Sequence, residues 1–387
     1  MEVYVTGRSL ATCAGLGVED NWQRLFGYEA HFSEYEGNVV GKIARDVERE
    51  MAVCRKSSKY LHHQDDAAIL AVLCSRIALE ESQADPKTLG VIIGSSRGPW
   101  EKLESSVKSY CLDSKIFPHT SPVTTSNALS AAVARHFGCT GLALAVSATC
   151  ASGLEAIGMG FLAVKSGFAQ RMLVGGVDTA VSPFMVSMLK TARVYAHESG
   201  GPYLVKPSHP ERTGLVLSQA GAILAIEAAT SSCKPIAVIK GFGARTEQIG
   251  LTGVSADGAV LAEAIEDALT QANLSPSDVD MIIGHGSGTQ KGDGAENAAI
   301  AKIFGDREVP TVFHKWLFGH SLGAAGAISA VLAPEHLANG VTSHHPYFDD
   351  SHPLRASRTL KRAKICLVTA LGFGGNAAAL VIGLPRQ

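Results

Sequence analysis

Three side chains of this 387-residue sequence could do chemistry together: Cys150, His285 and His320. Cys150 lies in "LAVSATCASG" (144–153), where an apolar run breaks into small residues and then continues as the helical pattern "ASGLEAIGMGFLAVKSG". A free cysteine there has two readings. It is a small core residue, or it is a nucleophile at a helix N-terminus, where unpaired N–H groups and the helix dipole favour the thiolate. As a nucleophile it would capture an acyl group from a thioester. The tetrahedral intermediate then needs donors at its oxygen, and the candidates are the N–H of Cys150 and one from the glycine-rich turn Phe373, Gly374, Gly375. Two histidines can hydrogen-bond a second thioester carbonyl and stabilise an enolate formed there. The set suits carbon–carbon bond formation between two thioesters. Neither histidine stands in an HxxxH or cysteine-rich spacing, so no metal site is expected.

Elements that would position these residues alternate along the chain. Short apolar runs ("LGVIIGSS", "LALAVS", "RMLVGGV", "AILAIE", "VDMIIGHG", "KICLVTALGFGG") are separated by helical patterns, which predicts an α/β fold with sheets buried on both faces. The chain also repeats itself. "ALEESQADPKTLGVIIGSSRG" (78–98) aligns with "ALTQANLSPSDVDMIIGHGSG" (268–288) without a gap. Two weaker pairs follow: 126–132 with 319–325, placing Asn127 opposite His320, and 144–152 with 367–375, placing Cys150 opposite Phe373. Two similar halves, 1–230 and 234–387, related by a pseudo-two-fold axis are therefore expected. Matched loops should meet near the axis, which predicts one shared site for Cys150, His285, His320 and the 371–375 loop. Such clefts at the carboxyl ends of buried strands are where α/β folds bind ligands. Taken singly, His285 is a turn histidine and His320 a cap of the helix 319–333.

Composition narrows the classes. The chain is 46% hydrophobic and 18% charged, with formal net charge −2, which gives no electrostatic case for nucleic acid or an acidic membrane surface. No apolar run approaches the ~20 residues that span a bilayer. The eight cysteines are scattered with no CxxC pair, and the start "MEVYVTGRSLATCAGLG" lacks the basic opening and apolar core of a signal peptide. A cytoplasmic protein with free thiols is expected.

At these residues the sequence resembles the β-ketoacyl carrier-protein synthases, or ketosynthases, of the thiolase fold. "VSATCASGLEAIG" resembles the nucleophile motif around Cys150. "GHGSGTQKGDGAENAAIAKIFG" is similar to the His-Gly-Thr-Gly-Thr…Gly-Asp…Glu motif carrying His285. "KWLFGHSLGAAGA" is similar to the motif with Lys315 and His320, and "LGFGGNAAALVI" to the gate loop near Phe373. The resemblance implies αβαβα layering and acyl transfer from an acyl carrier protein to Cys150. It also implies decarboxylation of a malonyl thioester assisted by His285 and His320. The carbanion would then attack the acyl-enzyme, in fatty acid, type II polyketide or aryl-polyene-like synthesis. Substrates would ride on the phosphopantetheine of the carrier, with no metal or redox cofactor. A homodimer, or a heterodimer with a second ketosynthase-like chain, is implied as well. Lys315 would be a buried partner of the histidines and of a nearby acidic residue.

Departures from the pattern concentrate in "KPSHPERTGLVLSQAGA" (206–222), where Gln219 replaces a glutamate and Thr213 an aspartate. A neutral Gln219 would leave a buried Lys315 without its counter-charge. Trp316 stands where the family has serine, either filling core or walling the acyl tunnel, for which Gln219 is the second candidate. The stretches near 190–206 and 243–258 are short for the family, and these help build the substrate entrance. A second reading follows: a chain-length-factor-like subunit that shapes the tunnel of an active synthase. A thiolase is the weaker third, because Phe373 stands where its second cysteine is required.

Overall fold

The computed structural model describes residues 1–197, 203–230, 234–250 and 253–385. Cys233 and parts of the two shortened stretches fall outside them. Ten strands carry the architecture: β1 (Val3–Thr12), β2 (Gly90–Gly94), β3 (Ala143–Val146), β4 (Arg171–Asp178), β5 (Ala220–Ala228), β6 (Ala237–Thr246), β7 (Met281–Ile283), β8 (Thr311–Val312), β9 (Ile365–Gly372) and β10 (Asn376–Gly383). They form one hydrogen-bonded path, β8-β7-β9-β10-β6-β1-β5-β4-β2-β3. From the middle outward, the first half runs β1-β5-β4-β2-β3 and the second β6-β10-β9-β7-β8, the same order with each label raised by five. Strand directions agree too: β2 is parallel to β3 and β4, as β7 is to β8 and β9. The halves join where β1 pairs antiparallel with β6, Val3 against Ile239 and Val5 against Ala237. Every residue of β2, β5 and β9 is buried, as expected of strands covered on both faces.

Six helices complete the repeat: α1 (Asp66–Ser82), α2 (Ala128–Phe137), α3 (Ser152–Lys165), α4 (Ala259–Ala272), α5 (Gln290–Phe304) and α6 (Ala325–Asn339). α1 covers β1 and β5, and α4 covers β6 and β10. α3 and α6 pack on each other between the two halves of the sheet, each touching strands of both. That inner layer explains why α6 is apolar nearly all round and buried along its length. It also explains the glycines of α3: a Cβ at Gly158 would fall 2.3 Å from the Phe242 ring of β6. The resulting layering is αβαβα. No helix among the described residues is long and apolar enough to cross a membrane.

Strand order corrects two of the three sequence matches. β3 leads into α3 through the 3-10 turn Thr149–Ala151, and β8 leads toward α6 through the 3-10 turn Leu322–Ala324. Both turns open on a non-glycine residue with positive φ, Thr149 at 51° and Leu322 at 48°. Segment 319–325 therefore corresponds to 146–152, so His320 stands opposite Ser147 and Cys150 opposite Gly323. The earlier pairings of Asn127 with His320 and of Cys150 with Phe373 do not hold. The pair 78–98 with 268–288 agrees with strand order, β2 against β7.

Candidate active site

Cys150 sits in the sharp turn between β3 and α3, partly buried. A positive φ at a β-branched residue is strained, and local hydrogen bonds hold Thr149 there. Its hydroxyl donates to the Phe373 carbonyl at 2.8 Å, while Ser152 Oγ accepts from the Ala148 N–H at 2.9 Å and donates to the Thr149 carbonyl at 2.6 Å. The Phe373 carbonyl also accepts from Asn376 Nδ2 at 3.1 Å. Pinned by its carbonyl, Phe373 turns its N–H onto the Cys150 thiol. The hairpin between β9 and β10 turns through Gly374 and Gly375 at φ 81° and 82°, and a Cβ at Gly375 would fall 2.3 Å from the Glu247 carbonyl. Only glycine suits both positions.

The helix N-terminus does not make Cys150 acidic. Burial pushes its thiol up from 9.0 to about 11, outweighing the pull of Lys315, Arg97 and the Phe373 N–H. The expectation of a dipole-lowered thiol is thus corrected: the resting group is the neutral thiol.

His285 and His320 line the same cavity as Cys150 and Phe373, a volume of about 440 Å³. Their rings lie edge to face, 5.4 Å between centroids at 78°. The Leu322 N–H donates to His320 Nδ1 at 3.0 Å, so the proton of that ring is on Nε2. The Lys315 ammonium faces Nδ1 of His285 at 3.4 Å and donates to the His285 carbonyl, which places that ring's proton on Nε2 too. Burial, reinforced by the Lys315 charge, holds both imidazoles well below 6.5. Two neutral rings thus keep an Nε2–H each for a guest in the cavity.

Lys315 stands behind His285, outside the cavity lining. Burial lowers it from 10.5 to about 8, and Glu296 is the largest influence raising it. Glu296, on α5, is the acidic residue of this site. It accepts from the His285 N–H at 2.6 Å, the Gly286 N–H at 2.7 Å and the Thr369 hydroxyl at 2.5 Å. Gln219 is not the counterpart of Lys315. It accepts from the Ile43 N–H at 3.2 Å, donates to the Thr179 carbonyl at 2.9 Å, and lines a separate surface cleft with Lys42 and Glu101. Trp316 is fully buried against Tyr203 and His344, at 6.0 and 5.9 Å between ring centroids, and does not line the cavity of Cys150. The tunnel role expected for these two residues does not fit their positions. Among the described residues no group of three or more His, Cys, Asp and Glu could hold a metal ion.

Asp178, at the end of β4, was not singled out in the sequence. Its carboxylate accepts from Ser95 Oγ (2.8 Å), the Ser96 N–H (2.8 Å), the Arg97 N–H (3.2 Å) and the Gly323 N–H (2.7 Å). Burial leaves it at about 6, ionised at neutral pH. It ties the loop after β2 to the turn that carries His320. The sequence "GGVDTA" offers one clue, an aspartate at the end of an apolar strand. In Asp178→Asn the amide NH₂ must confront two of these donors, so the expected loss is about 2–4 kcal/mol in urea unfolding. A loss below about 0.5 kcal/mol would contradict this tie.

Comparison with known proteins decides the family. The β-ketoacyl synthase N-terminal domain model matches residues 1–231 and the C-terminal domain model residues 236–348. The chain is a β-ketoacyl synthase family member. It is 29% identical to the tetracenomycin polyketide synthase ketoacyl synthase alpha subunit of Streptomyces glaucescens, covering 100% of this chain and 97% of that one. It is 26% identical to 3-oxoacyl-[acyl-carrier-protein] synthase 2 of Vibrio cholerae, covering 98% of each. Its fold matches the ishigamide ketosynthase/chain length factor with TM-score 0.88 at 23% identity, covering 100% of this chain and 99% of that one. A ketosynthase in complex with its chain length factor from Xenorhabdus doucetiae matches with TM-score 0.83 at 21% identity, covering 99% and 98%. This family member thus has the thiolase fold and belongs to a family of carbon–carbon bond-forming acyltransferases of fatty acid and polyketide synthesis.

Proposed function

We propose that this ketosynthase is itself catalytic and condenses an acyl group held on Cys150 with a malonyl group held on an acyl carrier protein. The convergence of Cys150 with two Nε2–H donors in one cavity carries the reading. In the first step the Cys150 sulfur attacks the acyl thioester, and the oxyanion meets the N–H groups of Cys150 and Phe373. The thiol proton leaves with the departing carrier thiolate. One thiol replaces another, so a resting thiol near pKa 11 costs no net proton. The malonyl thioester carbonyl then lies between His285 and His320. Loss of CO₂ leaves its electron pair on the enolate, whose oxygen takes both Nε2–H bonds. That carbon attacks the acyl-Cys150 carbonyl, and collapse expels the Cys150 thiolate, which is reprotonated, leaving a β-ketoacyl carrier thioester.

Equal strand order supports two related halves, 1–230 and 234–387. A paired state is supported by the helix Trp100–Asp113, which has no buried residue, and by exposed Leu103, Val107, Tyr110 and Leu112 on it. Leu144 is exposed on the edge strand β3 as well. Fold neighbours that pair a ketosynthase with a chain length factor support a second reading too, in which this chain shapes a partner's tunnel. Intact-mass spectrometry after incubation with carrier-protein thioesters separates the two. Catalysis predicts one acyl adduct mapping to Cys150. Its absence, under conditions that acylate a known synthase, would make the chain a tunnel-shaping subunit.

Protonation of Lys315 sets the pH profile. The charged ammonium fixes the His285 tautomer and, from behind that ring, offsets the developing enolate charge. Malonyl decarboxylation is therefore expected to fall as pH rises through about 8, and to show no inflection near 6.5 because both histidines are already neutral. In Lys315→Met the limb near pH 8 should vanish along with much of the rate. A wild-type profile rising through pH 8 would refute this role.

A further inference from the structure

The catalytic cavity carries charge that the condensation does not use. Arg97, Arg193 and Lys291 all line it, and no aspartate or glutamate does among the described residues. None of the three enters an ion pair among those residues. Arg97 belongs to the cysteine side. It lies on the loop after β2, its N–H is held by Asp178 at 3.2 Å, and its charge is felt at the Cys150 thiol. Its guanidinium lies 5.8 Å from the Trp100 ring. Arg193 follows the helix Pro183–Thr191 at φ 58°, a left-handed position where glycine is usual. The histidines and Lys291 come from the second half of the chain.

An alkyl chain gains nothing from guanidinium groups and would strip water from them. A carboxylate gains charge-assisted, bidentate hydrogen bonds. We propose that the acyl group this ketosynthase loads onto Cys150 ends in a carboxylate, received by Arg97, with Arg193 a second cation lining the same cavity. This rests on the proposed acyl transfer to Cys150. Lys291, on the histidine side, is left for anions that every carrier substrate brings.

The test compares two six-carbon acyl carrier thioesters, one methyl-terminated and one carboxylate-terminated, by the rate of Cys150 acylation in intact-mass spectra. The wild type should prefer the carboxylate by at least about tenfold, the factor one charge-assisted hydrogen bond supplies. In Arg97→Gln that ratio should fall toward one. Equal wild-type rates, a methyl preference, or an unchanged ratio in the variant would overturn the proposal. So would an equal slowing of both substrates, which would assign Arg97 to the phosphate common to both. Calorimetric binding of the two acyl-pantetheines to Cys150→Ala keeps the proposals distinguishable. A carboxylate preference there without acylation of the wild type upholds the anion site and removes the acyl-transfer reading; no preference removes the site.

Discussion

Cys150→Ala protein takes up no acyl group from any carrier thioester, and its condensation rate falls by more than about a thousandfold. Its fold should survive. The turn around residue 150 is held by Thr149, Ser152 and the Phe373 carbonyl, none of which needs the thiol. Alanine keeps the Cβ, and the site is only partly buried, so the change in unfolding free energy should stay within about 1 kcal/mol. The variant should still release CO₂ from a malonyl carrier thioester, because His285 and His320 remain, and the product is then the acetyl thioester. Among the described residues no other cysteine lines the cavity. Burial raises Cys13 and Cys74 to about 12, and neither lines the cavity. Persistent condensation in the variant, followed by gas release and product mass, would remove Cys150 from the mechanism.

Much of this site was legible because its residues sit where regular elements end. The match of 78–98 with 268–288 was visible because each is a helix, a Pro-containing turn and a strand closing on glycine. It places His285 opposite Ser95, each just past its strand. The match of 319–325 with 146–152 was not visible. Only small residues are shared, and the helix-forming stretch Lys315–Phe318 intervenes between β8 and the turn. What the two segments have in common is conformation, the positive φ of Thr149 and Leu322, to which sequence patterns are blind. The partner of Lys315 was sought in the altered segment at Gln219, whereas α5 presents Glu296 to the His285 loop one helical turn beyond Asp293. Gln219 lies just before β5, and a strand buried on both faces shows no alternation from which to read where a flanking side chain turns. Cys150 shows a further limit. Helix-terminus reasoning lowers a thiol pKa, but burial is the larger influence here.

His320→Ala should separate the two half-reactions. Acylation of Cys150 uses the N–H groups of Cys150 and Phe373, so it should stay within severalfold of wild type. Decarboxylation loses one of the two donors at the enolate oxygen and should slow by about 10²–10³-fold, the usual effect of removing one such donor. Truncation also strips the Leu322 N–H of its acceptor, at a cost of about 1–3 kcal/mol in stability, so folding must be checked beside the rates. His320→Asn addresses that ambiguity. Its Oδ1 can take over the Leu322 N–H while Nδ2 points a donor toward the cavity, though from a shorter arm. It should recover stability nearly in full and decarboxylation only in part. If His320→Asn restored stability and neither variant slowed CO₂ release, His320 would be a structural residue of the turn, and His285 alone would bear the enolate. Loss of acylation with decarboxylation intact would reverse the roles assigned to the two sides of the cavity.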